Sequence, residues 1–225
     1  MCLRLVGSEM CIRDRSTIKP AIGLFGIENE IIDWNFTIND PGFFVSPEDD
    51  RVYRGWKKGG HGEINLKEAI IESSNTFFFS LAYQSDIDQL IEHLSHFGFG
   101  KNVCLDCFLP DKGLLPNPEW KMNTLNFGWF KGDTVNLGVG QGYLSATPLQ
   151  LAYYSAFLAK KGELNKFSFV QNNTEASSNV FVSKNISNDD WKKIHDSMIG
   201  VIENPKGTAG SCLLYTSPSP RDVST

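Results

Sequence analysis

Ser16-Thr17-Ile18-Lys19-Pro20 sets a hydroxyl and an amine about one helical turn apart. A serine is inert as a nucleophile until a neighbouring base takes its proton, and a lysine can be that base only as the neutral amine. Pro20 has no N–H to bond the carbonyl of residue 16, so a helix has to begin about there. Ser16 then sits at a helix N-terminus, where free N–H groups and the positive end of the macrodipole favour a developing alkoxide. Ser and Lys at this spacing are common by chance, and a capped, solvated helix start explains the pair equally well.

Two further constellations stand along the chain. Ser73-Ser74-Asn75 offers a hydroxyl and an amide two residues apart, which a loop between helices can aim into a cleft. The simpler role of Ser74 or Asn75 is to cap the helix through Phe77, and capping is compatible with catalysis. The third is the run Gly132-Asp133-Thr134-Val135-Asn136-Leu137-Gly138-Val139-Gly140-Gln141-Gly142-Tyr143-Leu144-Ser145-Ala146-Thr147-Pro148-Leu149-Gln150, which leads into a capped helix.

Elements to position these groups are legible from their caps. Asn65-x-x-Glu68 opens a short helix to about Glu72, and a second follows Asn75 through Phe77 and Leu81, leaving a break at 73–75. Ser85-x-x-Asp88 opens a helix with Ile87, Leu90, Ile91 and Leu94 on one face, closed by Gly98. Thr147-Pro148-x-Gln150 starts another that Gly162 stops, and Ser187-x-x-Asp190 starts a last one through Trp191, Ile194, Met198 and Ile202. Strand signals are weaker, at 32–38, 103–109 and 180–183, and 172–179 reads as a polar loop.

An SxxK, an SxN 57 positions later and a GxGQGYxxxTPxQ leading into a helix resemble, in that order, the penicillin-binding transpeptidase family. Tyr53-Arg54-Gly55-Trp56-Lys57-Lys58-x-Gly60-His61-Gly62, Asn117-Pro118-Glu119-Trp120-Lys121 and Trp129-Phe130-Lys131-Gly132-Asp133-Thr134 narrow the resemblance to the rod-elongation branch, the penicillin-binding protein 2 type. It implies an α/β fold of the penicillin-binding transpeptidase and serine β-lactamase kind, and a D,D-transpeptidase that cross-links peptidoglycan through an acyl-serine. By resemblance Ser16 attacks the D-Ala-D-Ala carbonyl of a stem peptide, Lys19 is the base, Ser73 relays a proton to the leaving D-alanine, and Asn75 with Gly140, Gln141 and Gly142 binds substrate. β-Lactams acylate the same serine. No cofactor is implied. The implied partners are stem peptides, a membrane-embedded glycosyltransferase and elongation-complex proteins, at the periplasmic face of the inner membrane.

The family's Lys-(Ser/Thr)-Gly strand motif is missing. Lys206-Gly207-Thr208 has the letters in the wrong order and falls in a turn, Asn204-Pro205-Lys206-Gly207-Thr208-Ala209, that relatives also carry after this helix. Some members of the elongation branch hold a structural metal through Asp, Asp, His and Cys; the matching positions here are Asp40, Gly55, His61 and Ser74. Two ligands are gone and a closed zinc site wants four, so no metal is expected and His61 is left as a loop residue hydrogen-bonding near the site.

The ends read differently. Residues 212–222 (CLLYTSPSPRD) can be written in codons whose reverse complement, one frame over, spells LVGSEMCIRD, the sequence of residues 5–14. One DNA word on opposite strands at both ends resembles a sequencing adapter, so 1–15 and 212–225 are expected to be adapter-derived tails around a partial transpeptidase domain, 16–211. That domain is expected to be a mostly helical remnant lacking most central strands, and inactive by itself.

The net charge of −5 and the absence of a basic stripe argue against nucleic acid. Cys104 and Cys107 lie in a strand-like run that points them to opposite faces, so two unpaired structural cysteines are expected. His93 and His96 read as a solvated helix face. Two rival functions share Ser16, Lys19 and Ser73-x-Asn75: a β-lactamase or D,D-carboxypeptidase-like hydrolase, and a non-catalytic module keeping the fold for a partner. The glycine-glutamine-glycine and tryptophan-rich stretches disfavour the first, and an intact set of four disfavours the second.

Overall fold

The computed structural model describes residues 15–106, 112–168, 178–180 and 186–210. A 3₁₀ turn (Arg15–Ile18) runs directly into α1 (Lys19–Glu28), with Pro20 in the first turn, where a missing N–H costs nothing. Two small antiparallel ribbons follow. β1 (Thr37–Asp40) will pair with a strand further on, while β2 (Phe43–Val45) and β3 (Val52–Arg54) pair with each other, Phe44 opposite Tyr53. The partner of β1 is β4 (Gly62–Asn65), in register Thr37 to Asn65 through Asp40 to Gly62. Then come α2 (Leu66–Ile71), α3 (Asn75–Gln84) and α4 (Ile87–His96). After them lie α5 (Pro118–Leu125), α6 (Lys131–Leu137), α7 (Pro148–Ala159), a third ribbon of β5 (Glu163–Asn165) with β6 (Ser178–Val180), and α8 (Asn188–Glu203).

The arrangement follows from α1. Every residue from Lys19 to Gly26 is buried, and a helix apolar on all sides has to be surrounded. α2, α3, α4 and α8 pack around it. Phe25, Phe77, Phe78, Phe97 and Phe157 fill the space between, with Phe97 edge-on to Phe157 at 5.1 Å. Each such side chain taken from water contributes about 1.5–3 kcal/mol.

Three of the expected caps form as capping boxes: Asn65 with Glu68, Thr147 with Gln150, and Ser187 with Asp190. α4 differs. Asp86, not Ser85, caps it, accepting from the Gln89 N–H at 3.0 Å, while Ser85 ends α3 and donates to the Leu81 carbonyl. Gly98, at φ 91°, lies just past its end.

The strand expectations hold only in part. Residues 32–36 are irregular, with a turn at 34–35, so the first strand begins at Thr37. At 103–109, Cys104 makes one isolated bridge to Phe167, and 107–111 lie outside the described residues. Residues 178–180, half expected as loop, form β6, whereas 169–177 and 181–185 fall outside, as do 1–14 and 211–225. Cys104 is disulfide-bonded, which corrects the expectation of an unpaired thiol there. His93 is buried, not solvated: Nδ1 lies 2.8 Å from Glu28 Oε2 and Nε2 2.9 Å from the Ala21 carbonyl. The helix face carrying it is the one covering α1.

Candidate active site

The break between α2 and α3 carries the second constellation. Ser73 there has φ 52°, a left-handed backbone that costs a non-glycine residue of order 1–3 kcal/mol and persists only where the surroundings hold it. Ser74 is the N-cap of α3, its Oγ accepting from the Phe77 N–H at 3.2 Å. Capping by Ser74 thus leaves the Ser73 and Asn75 side chains free to turn toward α1.

Both meet Lys19. Its Nζ lies 2.8 Å from the Ser73 carbonyl oxygen, 3.0 Å from Ser73 Oγ and 2.8 Å from Asn75 Oδ1. The lysine is 1% exposed, and burial pushes its amine from 10.5 down to about 7, against the Asp40 carboxylate, which raises it. A neutral amine has two N–H donors and one lone pair. Charged, the amine donates to all three oxygens; once neutral, its two N–H groups go to the two carbonyl oxygens, which can only accept, and the lone pair faces the Ser73 hydroxyl.

Ser16, Lys19 and Ser73 line one cleft of about 340 Å³. Ser16 is exposed at its mouth, and all three Lys19 hydrogen bonds go to the other loop, so none joins it to Ser16. Ile70, Met198, Val201 and Ile202 make the apolar wall, and Thr208 and Ala209 close it. A larger open depression of about 710 Å³ lies at the other end of α1, but its Asp190 is taken up by the Trp34 indole N–H at 2.7 Å and nothing there joins the chemistry.

The sequence matches the penicillin-binding protein transpeptidase domain over residues 15–217. The chain belongs to that family. It is 39% identical over 208 residues to the peptidoglycan D,D-transpeptidase MrdA of Acinetobacter baumannii, covering 89% of this chain and 31% of that protein. Pseudomonas aeruginosa PBP2, solved in complex with WCK 5153, superposes with a TM-score of 0.82 at 35% identity, over 88% of this chain and 46% of that one. Helicobacter pylori PBP2, solved in complex with MreC, gives 0.76 at 32%, over 90% and 37%. The chain therefore spans about a third of the length of the curated relative. The fold class is that of the penicillin-binding transpeptidases, represented here mainly by helices.

Of the transpeptidase residues expected from sequence, Ser16, Lys19, Ser73 and Asn75 converge. Gly140, Gln141 and Gly142 do not line the cleft. They form the turn after α6, with the Gln141 N–H on the Asn136 carbonyl, on a segment that packs against α3. Lys206-Gly207-Thr208 is a turn, Gly207 N–H bonding the Asn204 carbonyl and Ala209 N–H the Val201 carbonyl.

Asp40, His61 and Ser74 come together, and Gly55 lies beside them, bonding the Gly42 carbonyl. They do not fit a four-ligand metal: Gly55 offers no side chain and Ser74 donates its proton to Asp40 Oδ2 at 2.7 Å. The loop closing over Asp40 admits no side chain at Gly60, where φ is 73° and a Cβ would stand 1.9 Å from the Asp40 carbonyl oxygen. Gly60→Ala is expected to destabilise the intact protein by about 2 kcal/mol or more, read as a fall in melting temperature.

Three residues hold the site in roles that sequence reasoning did not give them, although Asp40 and Trp56 stood in the stretches it quoted. Tyr154, buried on α7, donates to the Thr17 carbonyl at 2.9 Å and so ties down the turn carrying Ser16. The Trp56 indole N–H reaches the Glu72 and Ser73 carbonyls at 3.2 and 3.1 Å. Asp40 acts on Ser74 and, through its charge, on Lys19. None carries a local signal, because each works across more than fifteen residues of sequence.

Proposed function

We propose that the protein of which this chain is part is a peptidoglycan D,D-transpeptidase of the elongation type, with Ser16 as nucleophile, Lys19 as base, Ser73 as proton relay and Asn75 as substrate-binding amide. The observation that carries the reading is the buried Lys19 amine, pushed down to about 7 and held against Ser73 and Asn75 at the wall of the cleft that Ser16 opens. Ser16 Oγ bonds to the carbonyl carbon of the penultimate D-alanine while its proton passes to Lys19. The C–N bond to the terminal D-alanine then breaks, and its nitrogen takes a proton from Ser73, which Lys19 replenishes. Attack by an amine of a second stem peptide forms the cross-link and frees Ser16. Asn75 Oδ1 is engaged by Lys19, so its Nδ2 remains to donate to a donor-peptide carbonyl.

The cleft also bears on hydrolysis. Its lining residues include no carboxylate, and its far wall is Ile70, Met198, Val201 and Ile202, so no second base beside Lys19, which is held by Ser73 and Asn75, stands there to activate a water against the acyl-serine. This favours the transpeptidase over a β-lactamase. Benzylpenicillin added to the intact parent protein should leave one penicilloyl group on the peptide containing Ser16, stable for many times the acylation half-time by intact mass. Rapid loss of the adduct as penicilloate would sink the transpeptidase reading in favour of the hydrolase.

The substrate sets the surroundings. Stem peptides and β-lactams are the ligands, and the reaction belongs at the periplasmic face of the inner membrane, with a membrane-embedded glycosyltransferase supplying strands. Among the described residues no helix is long and apolar enough to cross a membrane. The complex of the Helicobacter pylori relative with MreC supports elongation-complex partners.

A further inference from the structure

We propose that in this chain the loop bearing Ser73 and Asn75 is braced without a metal, the Asp40 carboxylate acting as the positioning group that Ser74, His61 and Gly42 grip together. The inference rests on the function proposed above for its kinetic readout. Asp40 ends β1 and is 1% exposed. Its Oδ2 accepts from Ser74 Oγ at 2.7 Å and lies 2.6 Å from His61 Nδ1, and its Oδ1 accepts from the Gly42 N–H at 2.7 Å. Ser74 is the residue between the two that hold Lys19, and its Oγ also takes the Phe77 N–H. One chain of hydrogen bonds therefore runs from β1 through Ser74 into the first turn of α3, and fixes Ser73 and Asn75 on either side of it.

The same contacts leave no room for a cation. Buried carboxylates need their lone pairs filled, and here hydrogen bonds within the protein fill them. His61 Nε2 has no hydrogen-bond partner and faces Glu72 Oε2 at 4.0 Å. That carboxylate is already paired with Lys57 at 3.3 Å and Lys206 at 3.5 Å. A divalent ion entering there would meet one nitrogen, one committed carboxylate and two ammonium groups.

The test uses the intact parent protein purified without chelator. Metal content is measured by mass spectrometry, and melting temperature and penicillin acylation are followed with and without EDTA. Only trace metal, with no response to EDTA, is expected. Asp40→Asn and Ser74→Ala should lower the acylation rate about tenfold or more while the whole protein population still becomes labelled, since a loosened loop misplaces Ser73 and Asn75 about the Lys19 amine. Ser74→Thr, which keeps the hydroxyl and the cap, should restore the rate. One tightly held metal per chain whose removal lowers the melting temperature overturns the proposal. So does Asp40→Asn acylating at the parent rate, or a variant whose labelled fraction drops with its folded fraction at unchanged rate. If Ser16→Ala still labels, the proposed function fails instead, and the metal content continues to test the brace.

Discussion

Ser16→Ala is expected to leave the intact parent protein unlabelled by fluorescent penicillin, and Lys19→Met to slow its labelling by about 10²–10⁴, the range that a positioned base contributes. The reason lies in the proton inventory of the amine. At the ordinary 10.5, about one lysine in three thousand is neutral at pH 7, whereas at about 7 roughly half are. The acylation rate should therefore rise as pH increases through about 7 and level off above it. A limb near 10.5 would show that the amine is solvated in the working enzyme and would remove Lys19 as the base. Stability runs in the same direction. The folded amine titrates below its unfolded value, so between about 7 and 10.5 the unfolded chain holds the extra proton, and stability from this group rises with pH across that window. Below it the buried lysine costs on the order of 4–5 kcal/mol, which offsets the three hydrogen bonds that Lys19→Met removes. The variant should acylate that much more slowly yet melt no lower than the parent at pH 7. A slow variant that melts much lower would have lost its fold, not its base.

Expressed alone, the 225-residue chain should label at least about a hundredfold more slowly than the parent, because among the described residues no strand lines the cleft to donate N–H groups to the oxyanion. Among the described residues the only sheets are three two-stranded ribbons, and none lines the cleft. Opposite Ser16 stand α8 and the turn through Thr208 and Ala209 instead. The two proteins would be compared at equal concentration, with rates corrected for folded fraction. Equal rates would mean that the Lys206-Gly207-Thr208 turn supplies the oxyanion donors after all.

What the sequence disclosed and what it hid divide by distance along the chain. Asn65 with Glu68, Thr147 with Gln150 and Ser187 with Asp190 were readable because a capping box is complete within four residues. The break at Ser73 was readable for the same reason, though its left-handed backbone was not. Ser85 was read as the cap of α4 and Asp86, one residue on, was passed over, because only the close of α3 decides between them. α5 and α6 escaped notice because their apolar residues follow no stripe; the Asn117-Pro118-Glu119 start was the available signal, with Asn117 accepting from the Trp120 N–H. His93 was misjudged because histidine on a polar-looking face says nothing of the Ala21 carbonyl and Glu28 carboxylate that wait across the interface. Asp40 and Tyr154 reach their partners over 34 and 137 residues, and no local pattern encodes that.

Lys19 makes its hydrogen bonds to residues 54 and 56 positions away, and its amine is depressed only because other helices enclose α1. Before those helices assemble, Ser16 has an ordinary charged lysine one turn away and is chemically silent. If Ser16 and Lys19 act as proposed, a chain still being threaded or refolded should neither acylate itself on passing amides nor be poisoned by a β-lactam. Drug labelling would then count finished molecules: titrating a preparation with penicillin should measure how much of it has reached the native state, and a destabilised variant should look drug-resistant in proportion to its unfolded fraction while its intrinsic chemistry is untouched.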